Sequence, residues 1–487
     1  MNSTPILPTY VQLCQILTVC HLETFPLNQP IASAELPLPY SHLPLIENSC
    51  LIVSSITLKW VKPVALTKSL AKNYKCWVIP SLITFLTLQR RVLMIAISHR
   101  NGRQHKSTVS TKKGSTQDCG NYRPISLLNI PSKLLESIAC FQLDSFLNQH
   151  KLVTTSQWGF RKGRSSELLL LSMTEKWRLA LDEGKSVGVI FIDFQKAFDC
   201  VSHQILPDKL QASGLCGDSL DWIVNYLNNR HQFVTINGTN SEKMRVTSGI
   251  PQGSLLGPRL FSIFTNDLPL SVDSKIEMFA DDSTAYIIGN SIDSISTQIQ
   301  ILLHQLFTWS KLNSMFIHPA KSEVMFISKI PFIGPIRQIT IDDKPINCVF
   351  SSSCLGVKLD NKLNWSPHIK MVNSNFNAKI SKLKQMRTFN RSTLDSIYFK
   401  GILPIVTYCI SLWGSSNLLA DLEDSHIRAA RLIHKISTNI PKHEVLSIAK
   451  WTSIHYMYKR RLACITYQAF HNVAPEKQFI YKAPDFI

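Results

Sequence analysis

Residues 186–199, SVGVIFIDFQKAFD, run apolar from Val187 to Phe194, interrupted only by Gly188 and one carboxylate, Asp193. A run this unbroken suits a central strand covered on both faces. A second pattern lies at 275–288, KIEMFADDSTAYII, where Asp281 and Asp282 separate two strand-forming stretches. Polar residues between such stretches predict a β-hairpin with the Asp-Asp pair in its tight turn. Residues 232–249 predict another hairpin, turning at Asn237-Gly238. Helical spacing marks 131–150, and an amphipathic helix that would pack on a sheet marks 293–313. In VTSGIPQGSLLGPRLFSIFTNDL (246–268), Gly249, Pro251 and Gly253 predict a rigid turn, with a helix opening at Ser254. From 370 to 475 the pattern is mainly helical, with spaced cations in KISKLKQMR (379–387). Strands and helices are mixed without a repeat, so the class expected is α+β.

The acids give this pattern its chemistry. An ionised carboxylate at the end of a buried strand is costly unless paired or coordinated. Two adjacent carboxylates in a turn repel unless a cation sits between them. Asp193, Asp281 and Asp282 on neighbouring strands can hold two divalent ions roughly 3.5–4 Å apart for in-line phosphoryl transfer. One ion would activate a primer 3′-hydroxyl and the other would neutralise pyrophosphate. Hard oxygen ligands point to Mg²⁺ or Mn²⁺ rather than zinc. Gly253 would let the backbone approach a planar ligand.

Charge narrows the partner. Lys plus Arg number 52 against 33 acidic residues, a formal +19 that favours phosphate-bearing partners. The 12 cysteines form no CxxC pair, so they read as reduced thiols rather than zinc ligands or disulfides. No apolar run is long enough to span a bilayer, and the start lacks a signal-peptide layout. The expectation is a nuclear or cytoplasmic protein, neither secreted nor membrane-bound.

In order, KKGSTQDCGNYRPISLLNIPSKLLESI (112–138), SQWGFRKGRSSELLLL (156–171), VIFIDFQKAFDCVSH (189–203), SGIPQGSLLGPRLFSIFTNDLP (248–269), FADDSTAY (279–286) and CLGVKLDNKLNWSPHI (354–369) resemble the reverse transcriptases of non-LTR, jockey-like retrotransposons. WTSIHYMYKRRL (451–462) is similar to that family's closing segment. The resemblance spans about 112–475. It implies a right-hand polymerase with fingers, an antiparallel-sheet palm and a mainly helical thumb. It also implies a template RNA, a DNA primer from nicked target DNA, and dNTPs. By the same resemblance Asp193, Asp281 and Asp282 are metal ligands, and Phe198 is a steric gate against the nucleotide 2′-hydroxyl. Gln252 would line the nucleotide pocket, and Arg123 and Lys113 would grip the triphosphate. Lys321 would donate a proton to pyrophosphate. Phe198 also reads as a core ring, and Arg123 and Lys113 as solvated charges. The WGFRKGRSS loop (158–166) suits backbone phosphates or a solvated connection.

Residues 105–360 are expected to form the polymerase domain of fingers and palm, and 361–487 the helical thumb and C-terminal region. Residues 1–104 match nothing in the family and have no clean period. The first 117 residues contain no Asp whereas the remaining 370 contain 20, which sets the early stretch apart in composition. It reads as foreign to the polymerase or as a divergent N-terminal domain. The alternative function is a catalytically idle, RNA-binding, maturase-like relative or a decayed fragment.

Overall fold

A computed structural model describes residues 104–111, 122–236, 238–329, 338–386 and 388–471. The expectations for residues 1–103, for Lys113, and for Asn237 and Arg387 lie outside the described residues. The chain forms two compact units. One takes the described residues up to His150 together with His203–Arg259; the other takes Lys151–Ser202 and the chain from Leu260 onward.

The first unit opens with β1 (Gln104–Thr111) and β2 (Tyr122–Leu127), paired antiparallel. Next comes α1 (Ile130–Gln149), where the Asn129 side chain accepts from Ser132 N–H at 2.9 Å and caps the entry. Its inward face carries Ile138, Cys140, Leu143 and Leu147. In the second unit, α2 (Ser166–Asp182) is capped by Ser165 and leads into β3 (Ser186–Ile192) and the one-turn α3 (Ala197–Cys200). The chain then returns to the first unit as α4 (Ile205–Ala212), α5 (Gly217–Leu227) and strands β4 (His231–Ile236), β5 (Thr239–Asn240) and β6 (Met244–Arg245). The first unit's sheet runs β2-β1-β4-β5, with β6 also on β4. Ile236 pairs with Thr239, which is the expected hairpin.

The second unit resumes within α6 (Gly257–Phe264), followed by β7 (Lys275–Phe279), β8 (Asp282–Gly289), α7 (Ile292–Leu312) and β9 (Glu323–Ile327). Short strands β10 (Thr340–Ile341), β11 (Lys344–Pro345) and β12 (Asn347–Cys348) come next, then the hairpin β13 (Ser351–Cys354) and β14 (Val357–Asp360). The main sheet is ordered β12-β9-β3-β8-β7, antiparallel except where β12 meets β9. β3 is buried along its whole length. Val187, Val189 and Phe191 join the core beneath α2, whereas Gly188 faces α7. A Cβ on Gly188 would lie 2.4 Å from Ile295 Cγ2, so only glycine lets α7 settle this close. The apolar run is thus covered from both sides.

The chain beyond 361 is helical where described. It comprises α8 (Ser366–Leu383), α9 (Arg391–Ile397), a π turn at Tyr398–Ile402, α10 (Pro404–Thr407), α11 (Ile410–Trp413), α12 (Leu419–His434), α13 (Lys442–Ala449) and α14 (Ile454–Phe470). These helices share one core with α2 and β3 and belong to the same compact unit. Arg461 on α14 meets Glu167 on α2 at 2.6 Å, and Ser411 Oγ donates to the same carboxylate at 2.7 Å. No helix among the described residues is long and apolar enough to cross a membrane.

Candidate active site

β3 and β8 pair in a register that sets Ile192 opposite Ser283 and Phe191 opposite Thr284. Asp193 directly follows Ile192 and Asp282 directly precedes Ser283, so both lie at this end of the two strands. Asp281 stands beside them in the β7–β8 turn. That turn is centred one residue earlier than the Asp-Asp pair suggests: Phe279 pairs with Asp282, leaving Ala280 and Asp281 as its two corners. Asp282 is therefore the first residue of β8. Ala280 takes the left-handed conformation, φ +59°.

The chain from Phe316 to Ser322 fixes the backbone of Asp193. His318 N–H donates to the Asp193 carbonyl at 2.8 Å, and Asp193 N–H donates to the buried Ser322 Oγ at 3.2 Å. Gln195 N–H adds a bond to the Phe316 carbonyl at 2.7 Å. Exposed Lys321 stands on this same turn. Asp193 and Asp281 are half-buried and Asp282 is exposed. Neither the Asp193 nor the Asp281 carboxylate has an ion-pair or hydrogen-bond partner among the described residues. Among those residues, no three His, Cys, Asp or Glu side chains are gathered into a ready-made cation cage. The acids share one strand end without closing into a cage. Two of them lack a protein cation among the described residues, which suits hard divalent ions. Nearby, burial above all, with Asp282 adding to it, pushes the Cys354 thiol up to about 12, so it offers no thiolate.

Phe198 lies on α3, half-buried, and stacks on Phe261 with centroids 4.5 Å apart and planes 16° from parallel. The core-packing reading of this ring therefore has a named partner.

In the first unit, Gln252 and Gly253 form a turn locked to β2. Ser126 N–H donates to the Gln252 carbonyl at 2.8 Å. Gly253 has φ +105°, and a Cβ there would meet the Ser126 carbonyl at 3.0 Å. Gly253 thus permits close approach of the protein's own strand, a role the planar-ligand reading overlooks. Exposed Arg123 lies on that strand. Behind the turn, buried Glu136 accepts from Leu255 N–H and from Tyr226 O–H, both at 2.7 Å. Burial first, then the charge of Glu136, raises the Tyr226 phenol and keeps it a donor. The helix predicted from Ser254 starts at Gly257, because Ser254 Oγ instead accepts Gly257 N–H at 2.9 Å.

The 158–166 loop departs from a phosphate grip. Arg161 Nη1 donates to the Thr154 carbonyl at 2.7 Å and Arg164 Nη1 to the Gln157 carbonyl at 2.9 Å. Arg164 also covers the Trp158 ring. Burial lowers the Arg161 pKa. Two of its three cations thus brace the loop itself, leaving Lys162 exposed. Glu136, Gln157 and Ser322 carry no local signal of their positioning roles, because each has a partner more than a hundred residues away.

The model of the reverse transcriptase (RNA-dependent DNA polymerase) family matches residues 110–371, more than half of the chain. The probable RNA-directed DNA polymerase from transposon BS of Drosophila melanogaster is 28% identical over 403 residues, covering 79% of this chain and 42% of that protein. The RNA-directed DNA polymerase from mobile element jockey of the same species is 28% identical over 342 residues, covering 67% and 37%. The chain therefore spans about two-fifths of the length of the curated relatives it matches. Telomerase from Candida albicans, solved with a fragment of telomeric RNA, is 11% identical with TM-score 0.40, covering 77% of this chain and 71% of that one. The chain belongs to the reverse transcriptase (RNA-dependent DNA polymerase) family, on its jockey-like non-LTR retrotransposon branch.

Proposed function

We propose that the chain is an RNA-directed DNA polymerase that copies retroelement RNA into DNA by two-metal nucleotidyl transfer. The observation that supports it best is the place of Asp193 and Asp282 at one end of the paired β3 and β8, beside Asp281, with no cation paired to Asp193 or Asp281 among the described residues. In this reading all three acids hold Mg²⁺, with Mn²⁺ as substitute, and Asp282 is the least direct ligand. Bound cations would supply the charge that activates the primer 3′-hydroxyl and neutralises the leaving pyrophosphate. Lys321 donates a proton to that pyrophosphate. Phe198 crowds the 2′-position of the incoming nucleotide. Gln252 and Gly253 form the nucleotide platform, and Arg123 and Lys113 hold the triphosphate. Scattered cations track the template–primer backbone, consistent with the formal charge of +19. The substrates are dNTPs, an RNA template and a DNA primer at target DNA, which places the work in the nucleus or cytoplasm.

The test is primer extension by the full chain on an RNA template with dNTPs and Mg²⁺. Asp193→Asn or Asp281→Asn is expected to lower the extension rate by at least about 100-fold, the scale of losing transition-state charge stabilisation. Salt-sensitive RNA binding should persist, because it draws on other residues. Tight RNA binding by the wild type without extension of an annealed primer would instead establish the idle, maturase-like relative.

A further inference from the structure

The Ala280–Asp281 turn is held from outside its own hairpin. The segment 156–158 runs along β7: Met278 N–H donates to the Ser156 carbonyl and Trp158 N–H to the Met278 carbonyl, each at 2.8 Å. Trp158 Nε1 donates to Glu277 Oε2 on the same strand at 2.9 Å. Gln157 is fully buried between these bonds, with no exposed surface. Its Oε1 accepts two backbone N–H groups, Gly159 at 2.8 Å and Ala280 at 3.1 Å. Both partners are donors, so the amide orientation is set by chemistry. Gly159 makes the approach feasible, because a Cβ there would lie 2.5 Å from the Ala280 nitrogen.

Two features say that this contact serves more than packing. Ala280 sits at φ +59°, where an L-residue other than glycine or asparagine is disfavoured and needs external support. Gln157 Nε2 is buried and has no hydrogen-bond partner among the described residues. A buried donor left unmade is destabilising, and an apolar side chain of similar size would avoid it. The glutamine gains only through Oε1, and one of the two groups Oε1 holds is the residue before Asp281.

We propose that Gln157 is a positioning residue that sets the Ala280–Asp281 turn and so aims Asp281 and Asp282 at the metal. The inference rests on the metal-binding reading of those acids. Groups that orient metal ligands without touching the metal change affinity by about 10–100-fold when removed. Gln157 would act at this range through one backbone amide.

The experiment uses the full chain and Mn²⁺ alone as the probe, with affinity read by electron paramagnetic resonance. Backbone hydrogen exchange is followed in the peptide containing Ala280. Gln157→Leu is expected to speed exchange at Ala280 and to weaken Mn²⁺ binding by about tenfold or more. Adding Ala280→Gly should recover part of that affinity, because glycine adopts positive φ without the support. Gln157→Glu keeps the accepting oxygen and should preserve Ala280 protection, which covers the case in which the leucine variant fails to fold. Unchanged exchange in Gln157→Leu, or Mn²⁺ loss that Ala280→Gly does not relieve, overturns the proposal. Loss of Ala280 protection in Gln157→Glu overturns it as well. If Asp193→Asn and Asp281→Asn also leave Mn²⁺ binding intact, the metal-binding reading itself is what fails.

Discussion

Acidification should loosen the C-terminal helices before it reaches the carboxylates' own range. His426 is fully buried; its Nδ1 pairs with the Tyr398 hydroxyl and its Nε2 with the Thr452 carbonyl at 3.0 Å. Burial favours the neutral ring, in which Nε2–H donates to the carbonyl and Nδ1 accepts from the Tyr398 hydroxyl. His368 accepts Lys358 N–H on Nδ1 at 3.2 Å and is equally enclosed. Burial lowers each from 6.5 to about 4. Each unfolded imidazole therefore takes a proton near pH 6.5 that the folded one refuses until near pH 4. Stability is full above pH 6.5 and is lost as pH falls toward 4. At 1.36 kcal/mol per tenfold, each ring contributes on the order of 3 kcal/mol across that window, and about 2 kcal/mol of it is gone by pH 5. Two such rings amount to a large share of the 5–15 kcal/mol typical of a domain. Glu423, raised by burial, works with the opposite sign, so the comparison needs variants. Urea unfolding monitored by Trp fluorescence at pH 7.5, 6.5 and 5.0 should show the midpoint falling in the wild type. The fall should be visibly shallower in His426→Gln. Identical pH slopes in both proteins would refute the neutral-imidazole account.

Three further outcomes follow from the geometry. Phe198→Ala should raise the ratio of kcat/KM for rNTPs to that for dNTPs while removing the stack on Phe261; an unchanged ratio assigns the ring to packing alone. Gly253→Ala forces a positive φ on alanine and presses a methyl on the Ser126 carbonyl, so the KM for dNTPs should rise several-fold with template binding preserved. A wild-type KM would remove Gln252 and Gly253 from the nucleotide site. Gly188→Val should lower the thermal midpoint strongly, since its side chain would enter the space of Ile295 and Ile299; a midpoint within 1–2 °C, the scale of a sub-kcal/mol change, would contradict the packing of α7.

Much of the acid site is legible in the sequence because it depends on local patterns. A continuous apolar run ending at Asp193 suits a strand covered twice, as β3 is, and the hairpin carrying Asp281 and Asp282 pairs with it in the same sheet. The one-residue error in the turn has a long-range cause. Local turn chemistry favours Asp over Ala at a left-handed corner, yet Ala280 takes that corner where Gln157 supports it across 123 residues. Charge misleads at Arg161 and Arg164 for a similar reason: composition counts cations but cannot tell which are occupied by nearby carbonyls. The tie between the C-terminal helices and α2 is not legible at all, because Glu167, a residue of unremarkable context, binds Ser411, 244 residues on, and Arg461, 294 residues on.

That last contact changes what counts as a removable part. The family-wide match ends at residue 371, inside α8. A fragment cut there would keep all three acids but lose Phe376, Tyr398, Trp413 and Trp451 from the core shared with Trp177 and Val189. It would also leave buried Glu167 without Arg461 and Ser411. Such a fragment would hold the residues of a polymerase without the hydrophobic interior that keeps them in register. For this chain the C-terminal helices are the far wall of the palm, and truncations of related elements should be judged by where that wall ends.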